Sequence, residues 1–198
     1  MTSLRKSSNL RLAIVLLAAG EGSRMGSVPK ALLQKDGKTL LERFCAVVKA
    51  LHPVEFVVIT GFHAVPIEQE LNRLAKLMNL SITIVHNQNA STGQASSVRL
   101  ALESLDNSFD LVAMCLSDQP QIGEDELIAL LNQFVDREPH QDVVMPIVSG
   151  QRGNPALFSM KAVEEMLQIP GMVCRSFMDK NPNRIKIFNS DNGAYVLD

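Results

Sequence analysis

A glycine-rich stretch that carries two cations follows the first apolar run of the chain. It reads LAAGEGSRMGSVPK over residues 17–30 and contains three glycines, Arg24 and Lys30. Backbone N–H groups in such a loop can bind phosphate oxygens, while an arginine and a lysine neutralise the phosphate charge. The same composition also fits a mobile turn with solvated cations. The stretch therefore predicts a triphosphate-binding loop, with a simple turn as the alternative.

The spacing of the glycines excludes two common phosphate-binding motifs. A P-loop requires G-x-x-x-x-G-K-[ST], whereas Lys30 stands four residues after Gly26 and follows a proline. A Rossmann fingerprint requires G-x-G-x-x-G at a helix start and an acid at the end of the second strand. Here Gly20 and Gly22 are followed by a longer gap, and the second predicted strand ends at residues 59–61 without a carboxylate.

A carboxylate stands at a corresponding place later in the chain. Asp118 lies just past the apolar run Leu111–Leu116. In an open α/β sheet, ligands bind at the edge formed by the carboxyl ends of the parallel strands. Asp118 is therefore predicted to face the glycine-rich loop as a ligand, although an aspartate in a loop can also cap the helix that follows.

Strand-like and helix-like segments alternate along the chain and must position these residues. This alternation is typical of βαβ units around a mostly parallel sheet. The predicted strands are residues 12–17, 54–60, 81–85, 111–116 and 142–148, followed by short strands at 156–158, 184–188 and 194–197. The predicted helices are residues 39–51, 66–78, 94–105, 124–135 and 161–167, with a short mixed segment at 175–180.

Length and composition limit the number of domains and the kinds of partner and metal site that the chain can have. Residues 1–10 are predicted to be a flexible tail and residues 11–198 a single domain. The net charge of −2 gives no case for nucleic acid or an acidic membrane as a partner. The apolar run near the start is too short to span a bilayer. Three cysteines without a C-x-x-C pair argue against a zinc site and fit a reducing cytoplasm.

The motifs together resemble those of the MobA-like nucleotidyltransferases, and within that group they are most similar to molybdenum-cofactor cytidylyltransferase. The resemblance rests on LAAGxxSRMGxxPK at 17–30, LSDQP at 116–120 and RGNPALF at 152–158, in the family's order. It covers nearly the whole chain. It implies a glycosyltransferase-A-like fold of the nucleotide-diphospho-sugar transferases, which is a doubly wound three-layer α/β sandwich with a mostly parallel central sheet.

The resemblance implies a cytoplasmic transferase that moves a nucleoside monophosphate from an NTP to a phosphorylated acceptor and releases pyrophosphate. In the family, Ala-Ala at the position of Ala18 and Ala19 accompanies cytidine substrates, so CTP is favoured. The implied acceptor is molybdopterin, and the implied partner is an enzyme that receives the product transiently. The alternatives are a sugar-phosphate nucleotidyltransferase and a non-catalytic nucleotide-binding protein of the same fold.

The resemblance also implies roles for individual residues. Arg24, Lys30 and Asp118 are the implied catalytic residues. Mg²⁺ is the implied cofactor, with Asp118 and Asp198 as ligands; Asp198 matches the first acid of the family's C-terminal metal motif, and an ordinary residue without a ligand role is the alternative. Arg152 and Asn154 are implied to bind the acceptor. The implied nucleotide-binding residues are Leu17, Ala18, Ala19, Gly20, Gly22, Ser23, Gly26, Lys30, Asn89, Gly93 and Gln94.

Overall fold

The computed structural model of the chain describes residues 10–22, 26–106 and 109–198. Its strands are β1 (Leu12–Ala18), β2 (Gln34–Lys35), β3 (Lys38–Thr39), β4 (Glu55–Thr60), β5 (Thr83–His86), β6 (Leu111–Leu116), β7 (Val143–Val148), β8 (Gln151–Arg152), β9 (Ala156–Ser159) and β10 (Ile185–Asn189). Its α-helices are α1 (Leu40–Leu51), α2 (Ala64–Met78), α3 (Gln94–Glu103), α4 (Glu124–Val135), α5 (Met160–Gln168) and α6 (Cys174–Lys180).

Eight strands form one mixed sheet in the order β10-β7-β9-β6-β1-β4-β5, with β8 paired to β7. Strands β5, β4, β1 and β6 are mutually parallel, as are β7 and β10. Strand β9 runs antiparallel to both of its neighbours, β6 and β7. A parallel crossover needs a dozen or more residues, and the short connection at 149–155 cannot provide one. The prediction of a mostly parallel sheet is confirmed.

The two faces of the sheet carry separate cores. Alternate residues of β1 point to opposite faces, so Ile14 and Leu16 join one core while Val15 and Leu17 join the other. Helices α1, α2 and α4 cover the first face, and α3, α5 and α6 cover the second. Both faces are buried, which explains the continuous apolar run that marks this strand in the sequence. The doubly wound three-layer architecture is confirmed.

Several short elements differ from the prediction. The predicted strand at 194–197 is wrong, because the structure has a 3₁₀ turn at Gly193–Tyr195. The N–H groups of Val196 and Leu197 both donate to the Gly193 carbonyl, so the backbone closes on itself instead of pairing with a neighbouring strand. The hairpin of β2 and β3 was not predicted, although its Asp36-Gly37 turn, with positive φ at both residues, is a common hairpin signal.

Within the described residues, no helix is both long and apolar enough to cross a membrane.

Candidate nucleotide and metal site

A cleft of about 450 Å³ opens where β1 and β6 end. Strands β1 and β6 are in register from Leu12 opposite Leu111 to Leu17 opposite Leu116, so the glycine-rich loop and the Asp118 loop leave the sheet side by side. The cleft brings together residues that the sequence predicted separately. Those that line it are Leu17, Ala18, Ala19, Gly20, Gly22, Lys30, Gly93, Gln94, Asp118 and Asp198.

The charged centre of the cleft is an ion pair between Lys30 and Asp118. Lys30 Nζ donates to Asp118 Oδ2 at 2.9 Å, across 88 positions of sequence, and each side chain is about a quarter exposed. Lys30 begins a 3₁₀ turn in which the N–H of Leu32 donates to the Pro29 carbonyl and the N–H of Leu33 to the Lys30 carbonyl. The turn fixes the lysine backbone, which leaves the long side chain free to reach a phosphate or the carboxylate.

The glycine-rich loop turns back on itself at Gly22. This residue has φ +67°, and a Cβ atom added to it would collide with the Val28 carbonyl oxygen. The N–H of Ser27 donates to the Gly22 carbonyl at 3.1 Å and closes the loop. Glycine is therefore required here by both conformation and space. The predicted residues Ser23 and Arg24 lie outside the described residues.

His63 ties this loop to the end of the neighbouring strand. It precedes α2, and its Nε2 atom lies 2.8 Å from the carbonyl oxygen of Glu21, so the ring nitrogen donates to that carbonyl. The N–H of Phe62 also points to the Ala19 carbonyl, at 3.5 Å. Sequence reasoning gave His63 no role because a histidine at a helix start carries no specific signal. The contact shows that the turn after β4 supports the loop after β1.

Asn87 organises the segment on the far wall of the cleft. It is buried, and its Nδ2 atom donates to the hydroxyls of Ser96 and Ser97, each at 2.9 Å. Its Oδ1 atom accepts from the N–H of Asn89 at 2.9 Å. Sequence reasoning selected Asn89 but missed Asn87. An asparagine between a strand and a pair of serines could have indicated this role.

The first turn of α3 faces the cleft, because Gly93, Gln94 and Ser97 all line it. The N-terminus of a helix carries unpaired N–H groups and a partial positive charge, which favour an anion. Gly26 and Asn89, by contrast, are exposed and do not line the cleft. Among the described residues, the positive groups of the cleft are thus the Lys30 ammonium on one wall and the start of α3 on another.

The cleft also holds two aspartate carboxylates, a type of ligand that divalent cations take. Asp118 and Asp198 both line the cleft. Over the part of the chain that the structure describes, no three histidine, cysteine or acidic side chains are grouped to hold a metal ion. Mg²⁺ is commonly bound by one or two carboxylates together with substrate phosphates and water. The two carboxylates would suit such an ion, provided that phosphate oxygens and water supplied its other ligands.

The residues predicted to bind the acceptor lie outside the cleft. Arg152, in β8, pairs with Asp179 of α6 at 2.6 Å, and both side chains are about half exposed. The N–H of Asn154 donates to the Tyr195 carbonyl at 2.8 Å. These contacts place the two residues beside α6 and the C-terminal segment, and their role in acceptor binding stays a prediction.

The cysteines are not suited to nucleophilic chemistry. Burial raises the pKa of the Cys45 and Cys174 thiols to about 12, and it also raises the pKa of Cys115. A thiol acts as a nucleophile in its thiolate form. None of the three buried thiols is therefore suited to act as a nucleophile near neutral pH.

Comparison with known proteins agrees with this geometry. The protein is 31% identical over 196 residues to the bifunctional protein GlmU of Bifidobacterium animalis subsp. lactis, a match that spans 94% of this chain and 39% of that protein. The chain spans between about a quarter and two fifths of the length of the curated relatives it matches.

Solved structures share the fold over most of their length. The 4-diphosphocytidyl-2C-methyl-D-erythritol synthase of Anaerococcus prevotii has a TM-score of 0.71 and 15% identity, with 98% of this chain and 92% of that chain covered. Rv0371c of Mycobacterium tuberculosis has a TM-score of 0.68 and 21% identity, with 92% and 90% covered. Rv0371c has also been solved in complex with manganese, with a TM-score of 0.60, 19% identity, and 91% and 89% covered.

The family match covers most of the chain and both walls of the cleft. The MobA-like NTP transferase domain matches residues 14–184, which include the glycine-rich loop, Lys30 and Asp118. The chain belongs to the MobA-like NTP transferase family.

Proposed function

We propose that this domain transfers cytidine monophosphate from CTP to a phosphorylated small molecule, and that this acceptor is molybdopterin. The observation that carries the proposal is the ion pair of Lys30 and Asp118 inside the cleft. It joins the two motifs that a nucleotidyltransferase needs, one for the triphosphate and one for the metal. Family membership supports the reaction class.

The reaction needs no nucleophile from the protein. A phosphate oxygen of the acceptor attacks the α-phosphorus of CTP in line and forms a new P–O bond. The bond from the α-phosphorus to the bridging oxygen breaks, and that oxygen leaves with its electron pair as part of pyrophosphate. The protein contributes positioning and neutralisation of charge, which are the main sources of catalysis in phosphoryl transfer.

Each part of the cleft has a task in this proposal. The backbone of the glycine-rich loop and the start of α3 hold the triphosphate. Lys30 stabilises the phosphate charge, and we infer from the family pattern that Arg24 assists it. Asp118 and Asp198 would hold Mg²⁺, which supplies positive charge to the phosphates when bound. Because the Lys30 ammonium group already donates to the Asp118 carboxylate, a triphosphate must compete with that carboxylate for it.

Three further observations support the choice of substrates. Ala18 and Ala19 line the cleft, and in the family pattern Ala-Ala at this position accompanies cytidine substrates. A structural neighbour is a diphosphocytidyl-methylerythritol synthase, which agrees with a cytidine substrate. For the acceptor, Arg152 offers a planar bidentate donor suited to a phosphate, once it leaves Asp179.

Calorimetry with the four NTPs and Mg²⁺ tests the first half of the proposal. We expect CTP to bind at least about tenfold more tightly than the other three, a difference of about 1.4 kcal/mol. Equal affinities for the four NTPs would contradict the choice of CTP. If none of the four bound, the proposal of a nucleotidyltransferase would be contradicted.

Pyrophosphate release tests the second half. We expect release from CTP and Mg²⁺ when molybdopterin is added and none with a sugar 1-phosphate. Release with the sugar phosphate alone would establish the sugar-nucleotide alternative. CTP binding without release for either acceptor would favour the non-catalytic alternative, provided that a known cytidylyltransferase turns over in the same assay.

A further inference from the structure

Gln119 connects three segments that are far apart in sequence. It follows Asp118 directly and is buried, with 7% of its surface exposed. Its Nε2 atom donates to the Tyr195 carbonyl at 3.1 Å and to the Asn154 carbonyl at 3.4 Å, across 76 and 35 positions. The N–H of Asn154 donates to the same Tyr195 carbonyl at 2.8 Å, which completes a small network of main-chain groups around one side-chain amide.

Both ends of this network are tightly built. A Cβ atom at Gly153 would lie 2.7 Å from the Tyr195 carbonyl oxygen, so only glycine allows the two segments to approach this closely. Tyr195 itself is 2% exposed, and its hydroxyl donates to the Glu126 carbonyl at 3.0 Å. The Asn192 amide donates to the Glu126 carboxylate at 2.9 Å. The C-terminal segment is therefore anchored to α4 and to the turn before β9.

The anchored segment leads to the cleft. Tyr195 stands three residues before Asp198, and Asp198 lines the same cleft as Asp118. Asp118 and Gln119 thus project in two directions from one turn: the carboxylate reaches Lys30 while the amide reaches the segment that carries the second carboxylate.

The other half of the Gln119 amide has no partner among the described residues. Its Oε1 atom is buried and accepts no hydrogen bond. A buried acceptor without a donor destabilises a fold, so burial alone does not account for a glutamine here. The two N–H groups of Nε2 do, because one donates to the Asn154 carbonyl and the other is a second donor to the Tyr195 carbonyl, which already accepts from the Asn154 N–H.

We propose that Gln119 is a positioning residue for the metal–nucleotide complex: its amide holds the C-terminal segment so that Asp198 and Asp118 act on the same ligand. This inference rests on the proposed function. It predicts that loss of the amide donors weakens the contribution of the metal to nucleotide binding and leaves metal-free binding unchanged.

The test measures the Kd of CTP by calorimetry in EDTA and in Mn²⁺, and takes the ratio of the two values as the metal-dependent gain. In Gln119→Met, which keeps the size of the side chain and removes both donors, we expect this gain to fall about tenfold. The Kd in EDTA should stay within about twofold, a criterion that a merely misfolded variant would not meet. Gln121→Met is the matched control, since Gln121 is exposed two residues further along, and its gain should equal that of the wild type.

A double-mutant cycle with Asp198→Asn identifies the path of the effect. If Gln119 acts through Asp198, the double variant should lose no more of the gain than Asp198→Asn alone. The inference would be overturned if Gln119→Met kept the whole metal-dependent gain in CTP affinity. It would also be overturned if the fold-losses of the two single variants multiplied in the double variant. Either result would leave the proposed function standing. A wild-type protein without any metal-dependent gain would overturn both. If Gln119→Met fails to fold, Gln119→Asn, whose shorter amide cannot reach both carbonyls, undergoes the same test.

Discussion

At the scale of single residues, the contact between Lys30 and Asp118 is more informative about function than about stability. The two side chains are only partly buried, and ion pairs of this kind contribute about 0–1 kcal/mol to folding. Their backbones, by contrast, are held firmly by a 3₁₀ turn and by the end of a buried strand. A ligand could therefore separate the two charges in the cleft, and the free energy of unfolding would fall only slightly.

The change Lys30→Met tests this interpretation. It removes the ammonium group and keeps the apolar stem, so the free energy of unfolding should change by no more than about 1 kcal/mol. The Kd of CTP in calorimetry should rise at least about tenfold. Lys35→Met is the control, because Lys35 is exposed in β2 away from the cleft, and it should leave the Kd unchanged. A loss of less than tenfold for Lys30→Met would count against a triphosphate clamp.

The glycine-rich loop offers a second comparison at this scale. Gly22 and Gly26 both have positive φ, but only at Gly22 would a Cβ atom meet a backbone oxygen among the described residues. Chemical denaturation of Gly26→Ala should therefore show a loss of about 1 kcal/mol from backbone strain alone. Gly22→Ala should lose at least about 2 kcal/mol because steric overlap is added. Equal losses would show that the loop rearranges to accept the methyl group.

At the scale of elements, a charged cluster joins β7, α5 and β10 at the edge of the sheet. Arg184, just before β10, donates from Nε to Asp142 at 2.7 Å and from a terminal nitrogen to Glu165 at 2.6 Å. Asp142 is almost fully buried and also accepts from the Ser159 hydroxyl at 2.9 Å. Hydrogen bonds and ion pairs of the cluster thus link the start of β10 to α5, to the start of β7 and to the end of β9.

This cluster predicts that the free energy of unfolding falls in acid. The hydrogen bond from Arg184 lowers the pKa of Glu165. A lowered carboxyl pKa contributes stability that is present above the unfolded pKa of about 4.3 and is lost as the pH falls through the lower folded pKa. Because Glu165 is partly exposed, the contribution should stay below about 1 kcal/mol. Denaturation below pH 4 should therefore show a shallower acid slope for Glu165→Gln than for the wild type, with Glu164→Gln, an exposed neighbour on the same helix, as the matched control.

Removal of the arginine from the cluster should lower the free energy of unfolding at neutral pH as well. Arg184→Met leaves the buried Asp142 carboxylate without its cation, and the expected loss in the free energy of unfolding is about 3–5 kcal/mol. A loss below about 1 kcal/mol would show that the Ser159 hydroxyl satisfies Asp142 by itself.

At the scale of the whole molecule, one sheet separates two cores, and the cysteines report on both. Cys45 and Cys115 lie in the core under α1, α2 and α4, and Cys174 lies in the core on the opposite face. All three thiols are buried, which raises their pKa values and keeps them unreactive in the folded state. We propose that residues 11–198 form a single domain, in which the loss of either core removes support from the shared sheet.

Thiol labelling during denaturation tests that proposal. Because labelling requires exposure and a thiolate, all three cysteines should react in one transition that coincides with the loss of circular dichroism. Mass spectrometry of the labelled peptides assigns each reaction to its cysteine, and fully denatured protein supplies the reference rate. Reaction of Cys174 at a lower denaturant concentration than Cys45 would show that the two faces unfold separately.

Much of the architecture is readable from local pattern. Strand β6 and helix α4 have the predicted bounds, and Thr39 caps α1 where the predicted helix begins. These elements have strong periodicity or a clear cap, and their burial follows directly from that pattern. The weak elements were missed: β8 has two residues, and the predicted strand at 194–197 is a turn because its N–H groups bond backwards to Gly193.

Local sequence pattern is enough to predict the order of the long strands and helices, the glycine-rich loop and the carboxylate that follows β6. The antiparallel direction of β9, the contact between Lys30 and Asp118, and the hold of Gln119 on the segment leading to Asp198 become visible only in the folded chain. The difference lies in the range of the interactions. Periodicity, caps and turns act over a few residues, whereas these contacts depend on strand register across the sheet, which brings together groups that are between 35 and 88 positions apart.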